Sequence, residues 1–310
     1  MKAGADSGPP DALQPFMTVP RQVIPGATYL VTRRCTQRQF LLKPCKIVNE
    51  VFLYVLALAA ERYGVRIHAF CILSNHSHVV LSDPHAQLPA FQQYLNGLVA
   101  KALNAFHGRW ENFWAPDTYS AVKLGSTADV VDKITYVLAN PVAAGLVRHG
   151  RLWPGLWSAP EQIGTVIEVR RPEHFFEPDG GLPETASLKL SRPRGFESTM
   201  TFRRDLSASL AEREQQEARA CGGRFLGIAK VLAQQSSNRP RSIEPRCGLN
   251  PRVGAGDKWK RIELLQDLVD FLRAYRDAWL ARRHGRLETI FPYGTYQLRV
   301  LHGAPCVGFG

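Results

Sequence analysis

Two β-prone runs, Val65–Leu73 and His76–Leu81, are joined only by Ser74-Asn75 and flanked on both sides by helical patterns. Two strands linked so tightly pair with each other, which constrains the fold more than any other local feature. Upstream, Pro44–Tyr63 carries Pro near its first turn and an apolar stripe through Val48, Val51, Phe52, Val55 and Leu56, which predicts a helix. Before it, Ala27–Arg34 follows a Pro-Gly turn signal and reads as a strand. Downstream come a helical pattern over Leu88–Phe106, a short strand over Tyr119–Leu124, and an amphipathic helix over Asp129–Ala139 stopped by Asn140-Pro141. The order β-α-β-β-α-β-α predicts an α+β fold: a ferredoxin-like split βαβ antiparallel sheet with one added helix.

The rest of the chain divides by composition. With 310 residues, at roughly 150 per domain, two domains are expected. Residues 1–22 are rich in Gly and Pro without periodicity and read as a disordered lead-in to a compact domain over 23–155. Residues 156–195, with several prolines and a Gly-Gly pair, read as an irregular linker. Residues 196–310 read as a basic, mostly helical region, with helices over Asp205–Ala220, Arg224–Gln235 and Lys258–Arg283.

Apolar residues make up 45% of the chain, enough for a core, so wholesale disorder is excluded. No apolar run approaches the ~18 residues that span a bilayer, and the N-terminus lacks a signal-like apolar segment, so a soluble, non-exported protein is expected. The six cysteines form no C-x-x-C pair and read as scattered reduced thiols. Lys plus Arg is 39 against 27 Asp plus Glu, a net +12; from Cys221 onward the balance is 15 against 7. Such a charge points to a polyanionic partner, without separating DNA, RNA and acidic membrane surfaces.

Two small constellations stand out. In His76-Ser77-His78, residues i and i+2 of a strand point to the same face, so two imidazoles converge as a half-site for a divalent metal. The bland reading is two half-buried histidines satisfied by neighbours. On the helix over Asp129–Ala139, Tyr136 precedes Asn140 by one turn on the same face. Asn140 is suited to give an oxygen ligand and Tyr136 a hydroxyl nucleophile, which as a neutral phenol needs an activated phosphorus and close positioning. The bland reading is a rim tyrosine and a helix-stopping asparagine.

Taken together, Ser74-Asn75-His76-Ser77-His78-Val79-Val80-Leu81 and the later run from Tyr136-Val137-Leu138-Ala139-Asn140-Pro141 to Val147 resemble the REP-associated (IS200-like) tyrosine transposases, single-tyrosine members of the HUH endonuclease superfamily. Arg33–Pro44, Gly108–Trp114 and Phe291–Tyr296 resemble a long-form branch with a C-terminal extension. The resemblance implies His76, His78 and Asn140 as ligands of Mg²⁺ or Mn²⁺, and Tyr136 as the nucleophile that attacks a DNA phosphodiester to leave a 5′-phosphotyrosine and a free 3′-OH. It further implies a bacterial, cytoplasmic, nucleoid-associated transposase acting on single-stranded or hairpin DNA, as a monomer or homodimer. Ser77 departs from the pattern, standing where the family has a bulky apolar residue; by alternation it points to the opposite sheet face.

Arg33, Arg34, Arg38, Lys133 and Arg148 are candidates to grip phosphates, against the alternative of solvated surface. Trp110, Phe113 and Trp114 are candidates to stack on bases, with core packing the expected role for at least two of them. His68 reads as a structural histidine. The rival function is a domesticated, non-cleaving DNA-binding protein of the same fold, which has no need of all four residues His76, His78, Tyr136 and Asn140. An RNA-binding module is a third reading, weakened by the absence of paired exposed aromatics on the strands.

Overall fold

The computed structural model describes residues 19–116, 119–173, 175–177, 179–241 and 251–308. The lead-in expected over 1–22 lies outside these residues up to residue 18, as does Cys247. Two compact units are present among the described residues: Val23–Asp267, and a smaller one from Leu268 onward.

The larger unit holds β1 (Ala27–Arg34), α1 (Lys46–Tyr63), β2 (Arg66–Leu73), β3 (His76–Asp83), α2 (Leu88–His107), β4 (Ser120–Leu124) and α3 (Thr127–Ala143), so the expected β-α-β-β-α-β-α order is present. The sheet order is β2-β3-β1-β4, all antiparallel, extended by a short parallel strand β7 (Val253–Gly254) on β4. Alternation gives the sheet two buried faces. Leu30, Val80, Ala69 and Cys71 share a core with Ile134, Val137 and Leu138 of α3. On the other face Arg33 lies over Trp114, whose indole Nε1 donates to the Asn96 carbonyl of α2, and α1 packs on α2.

α3 differs from the sequence expectation at its far end. Ser126 caps its start by accepting from the Asp129 N–H at 3.2 Å, but the helix continues through Pro141 to Ala143 instead of stopping at Asn140-Pro141. Proline removes one helical N–H and disfavours the helical conformation of the residue before it. Here Asn140, Pro141 and Val142 are all buried, and Ala144 N–H closes the turn on the Asn140 carbonyl at 2.9 Å. Packing overrides the local rule and keeps Asn140 inside the helix.

Residues 156–195, expected as an irregular linker, carry regular structure. β5 (Val166–Arg170) and β6 (Thr185–Lys189) form an antiparallel hairpin against α1. On either side of that hairpin the chain covers the outer edge of β2: Ile72 N–H donates to Leu156 O (2.9 Å), Ser158 N–H to Phe70 O (3.0 Å) and Ser191 N–H to Ile67 O (2.7 Å). An exposed strand edge invites pairing with other chains, and this segment occupies it.

α4 (Thr199–Ala220) packs along α3, and α5 (Ile228–Ala233) is shorter than the helix expected over Arg224–Gln235. The left-handed Gly227 (φ 86°) sets its start. α6 (Lys258–Arg283) matches its sequence bounds. The smaller unit has its own core, where Phe291 and Ala304 bury against Ala278 and Tyr275 of α6, with α7 (Gln297–His302) beside them. Among the described residues no helix is long and apolar enough to cross a membrane, and Cys35, Cys45, Cys71, Cys221 and Cys306 are unpaired.

Candidate active site

The histidines sit on β3, the strand flanked by β2 and β1. Register places His78 opposite Cys71 on β2 and Thr32 on β1, and His76 opposite Leu73 and Arg34. Both imidazoles therefore share the α3 face, with ring centroids 4.7 Å apart. The apolar part of that face fixes α3 so that the Tyr136 ring meets His78 edge to face, centroids 5.7 Å apart. His76, His78 and Tyr136, from two distant segments of the chain, thus lie together.

Each imidazole is held through its Nδ1. His76 Nδ1 lies 2.7 Å from Asn75 Oδ1, an oxygen that only accepts, so Nδ1 carries a proton. His78 Nδ1 pairs with the Thr32 hydroxyl at 2.8 Å, which accommodates the same tautomer. Burial, with the neighbouring His76 as a lesser cause, pushes the His78 pKa well below its ordinary value of 6.5. His78 is thus neutral at pH 7, the form in which imidazole ligates a metal. Holding a ligand histidine through its second nitrogen is the usual way such a ring is oriented.

Asn75 is itself tied back, its amide donating to the Arg38 carbonyl at 3.4 Å and its carbonyl accepting from Cys35 N–H at 2.8 Å. That places the β1–α1 turn against the β2–β3 hairpin. Gln37 and Arg38 both take positive φ there (49° and 61°), a conformation that costs a non-glycine residue about 1–3 kcal/mol. Thr32 and Asn75 were not among the sequence candidates. Asn75 adjoins His76 and was open to suspicion, whereas Thr32 becomes visible only with the β1–β3 register.

Tyr136 is half-buried, with Lys133 Nζ 5.9 Å from its ring centroid; that ammonium also pairs with Asp132 at 2.7 Å. Asn140, one turn further on the same helix, is buried. A neutral His78 with His76 beside it on the face that α3 covers is a donor set that fits a divalent ion. Among the described residues no group of three or more His, Cys, Asp or Glu could hold a metal, and Asn140 is the further oxygen donor on the α3 side that could join the two imidazoles. Two nitrogens and one amide suit Mn²⁺ better than Mg²⁺, which favours an all-oxygen shell.

The remaining candidates scatter. Arg34 shares the histidine face, being paired in register with His76. Arg33, one residue earlier, lies on the other face, its guanidinium 5.7 Å from the Trp114 ring centroid, and is not brought to the histidines. Arg38 offers its carbonyl to Asn75, and Arg148 is exposed beyond the end of α3. Phe113 and Trp114 are buried, whereas Trp110 is 95% exposed in the loop after α2. Ser77 is buried away from α3, on the face alternation assigns it.

His68 is structural. Its Nδ1 donates to the Ser191 carbonyl (2.6 Å) and its Nε2 accepts from the Ser82 hydroxyl (2.7 Å), while burial lowers its pKa to about 4.

No protein-family model and no curated protein matches this chain. Among solved structures it is similar to a REP-associated tyrosine transposase bound to a REP hairpin, at 19% identity and a TM-score of 0.39, over 45% of this chain and 81% of that one. It is also similar to a candidate transposase from Deinococcus radiodurans R1, at 18% identity and a TM-score of 0.29, over 39% of this chain and 95% of that one. Likeness at this level says nothing by itself about chemistry, which rests on the geometry above.

Proposed function

We propose that this chain is a metal-dependent tyrosine nuclease and strand transferase for single-stranded or hairpin DNA, built on a ferredoxin-like sheet with α3 as the tyrosine helix. The observation that carries the reading is the packing of Tyr136 against His78 on a face where both histidines are held by Nδ1. A rim tyrosine needs no such neighbours, and structural His68 has both ring nitrogens bonded within the fold, whereas the hydrogen bonds of His76 and His78 given above are made through Nδ1.

His76, His78 and Asn140 are the residues that would hold the divalent ion, which supplies Lewis-acid polarisation of the scissile phosphate. The chain's own groups do the rest. Tyr136 Oη attacks phosphorus as the P–O3′ bond breaks; its proton leaves to solvent and the departing 3′-oxygen takes one up as a hydroxyl. The 5′-phosphate stays on Tyr136 until water or another 3′-OH displaces it, which gives cleavage or strand transfer. α3, buried against the sheet and braced by α4, limits where the phenol can go, so positioning replaces part of the nucleophilicity that a neutral phenol lacks. Lys133 and Arg34 add positive charge on the same face.

The test uses labelled single-stranded DNA from palindromes near the gene, with Mn²⁺ or with chelator. A covalent protein–DNA band that needs metal and vanishes in Tyr136→Phe is expected. Tight hairpin binding with neither adduct nor nicked strand would favour the non-cleaving DNA-binding reading.

A further inference from the structure

The sheet face that carries the histidines ends, on its far side, in a cleft of about 290 Å³ lined by three arginines. Arg66, Arg192 and Arg194 line it with Thr28, Ser82 and His68, and the start of α3 closes one wall. No Asp or Glu lines it. Asp129, in the first turn of α3, is taken up by the Gly256 N–H and the Ser126 hydroxyl, each at 2.6 Å.

Each arginine is delivered by fixed backbone. Arg66 opens β2 directly opposite Ser82. Arg192 follows Ser191, whose N–H is bonded to Ile67 and whose carbonyl accepts from His68. Arg194 precedes Gly195, where φ is +92° and an added Cβ would lie 3.0 Å from the Thr127 hydroxyl, so this loop lies directly on the first turn of α3. The Nη1 of Arg192 is out of solvent and without a partner, a costly state for a charged donor that an oxyanion would relieve. His68 is neutral here, so the arginines supply the charge.

We infer that this cleft binds a backbone phosphate of the DNA and so anchors the strand at the start of α3, upstream of Tyr136. Ser126 and Tyr136 are ten residues apart, about 15 Å along the helix, so a strand held in the cleft runs along α3 toward the phenol. The inference rests on the DNA reading above and adds a contact remote from the chemistry. Binding energy at such a contact positions the scissile phosphate.

The test measures hairpin and single-strand binding by the full chain carrying Tyr136→Phe, by fluorescence anisotropy across a salt series. Loss of two phosphate contacts in Arg192→Gln/Arg194→Gln lowers the magnitude of the log–log salt slope by about 1.4 for the single strand and about 1.8 for a duplex stem, and weakens binding at 0.1 M salt about 25-fold and about 60-fold respectively. The Arg192→Lys/Arg194→Lys protein keeps most of that slope. Arg66→Gln, at an exposed position, shifts the slope in the same direction and serves if the double variant fails to fold. An unchanged slope in a folded Gln variant overturns the inference. So does calorimetric uptake of inorganic phosphate that disappears in the Gln variants while their DNA slope stays put, which would mark a free-anion site. Cleavage by the chain with Tyr136 intact is scored separately. Cleavage with unchanged slopes removes only the phosphate site, and a changed slope without cleavage keeps the site and removes the nuclease reading.

Discussion

Thr32 on β1 reaches across the ladder to bond the Nδ1 of its register partner His78 at 2.8 Å. The contact fixes the orientation of a buried ring whose other nitrogen faces the tyrosine helix side of the sheet. Removing such an orienting partner from a ligand histidine costs about 10–100-fold in metal affinity. Thr32→Val, close in shape but without the hydroxyl, is therefore expected to weaken Mn²⁺ binding by that factor in calorimetry, and Thr32→Ser to restore most of it. Equal Mn²⁺ affinity in Thr32→Val and wild type would mean that His78 is not a ligand or is oriented otherwise.

His68 makes stability depend on pH. Its folded-state pKa of about 4 lies below the ordinary 6.5. Between those values the unfolded chain binds a proton that the folded chain refuses. The contribution is complete above pH 6.5 and is lost as pH falls toward 4. The span corresponds to a few kcal/mol, on the order of 3 at most. Urea midpoints at pH 7.5 and pH 4.5 should fall more steeply for wild type than for His68→Asn, which has no imidazole to protonate. Parallel slopes in the two proteins would contradict this.

The two tryptophans of the loop after α2 should separate cleanly. Trp114, 8% exposed and bonded to α2, is a packing residue, and Trp114→Ala is expected to cost about 3–5 kcal/mol of stability. Trp110 is 95% exposed, and Trp110→Ala should leave the melting temperature unchanged. If Trp110 stacks on an unpaired base, the same change weakens single-strand binding by about 1–3 kcal/mol. Unaltered DNA affinity in Trp110→Ala would remove it from the interface.

These contrasts mark where the sequence was legible. The bounds of β1 and α6, the Ser74-Asn75 turn and the shared face of His76 and His78 followed from local periodicity. The end of α3 did not, because Pro141 obeys a local rule that burial of Asn140, Pro141 and Val142 overrides. The segment after residue 155 was opaque for a different reason: its hydrogen bonds go to the edge of β2, residues far away in the chain. Arg33 and Arg34 both read as phosphate contacts by charge, although adjacent strand residues face opposite ways. Thr32 had no signal, since its role exists only across a strand pair.

The central claim is that Tyr136 is the nucleophile, and mapping the covalent adduct tests it most directly. The chain is incubated with hairpin DNA and Mn²⁺, digested with protease and nuclease, and its peptides are sequenced by mass spectrometry. The expected result is a nucleotide joined through its 5′-phosphate to the tyrosine of the peptide containing Tyr136, absent with chelator. An adduct on another residue, or strand cleavage with no adduct at all, would contradict the assignment.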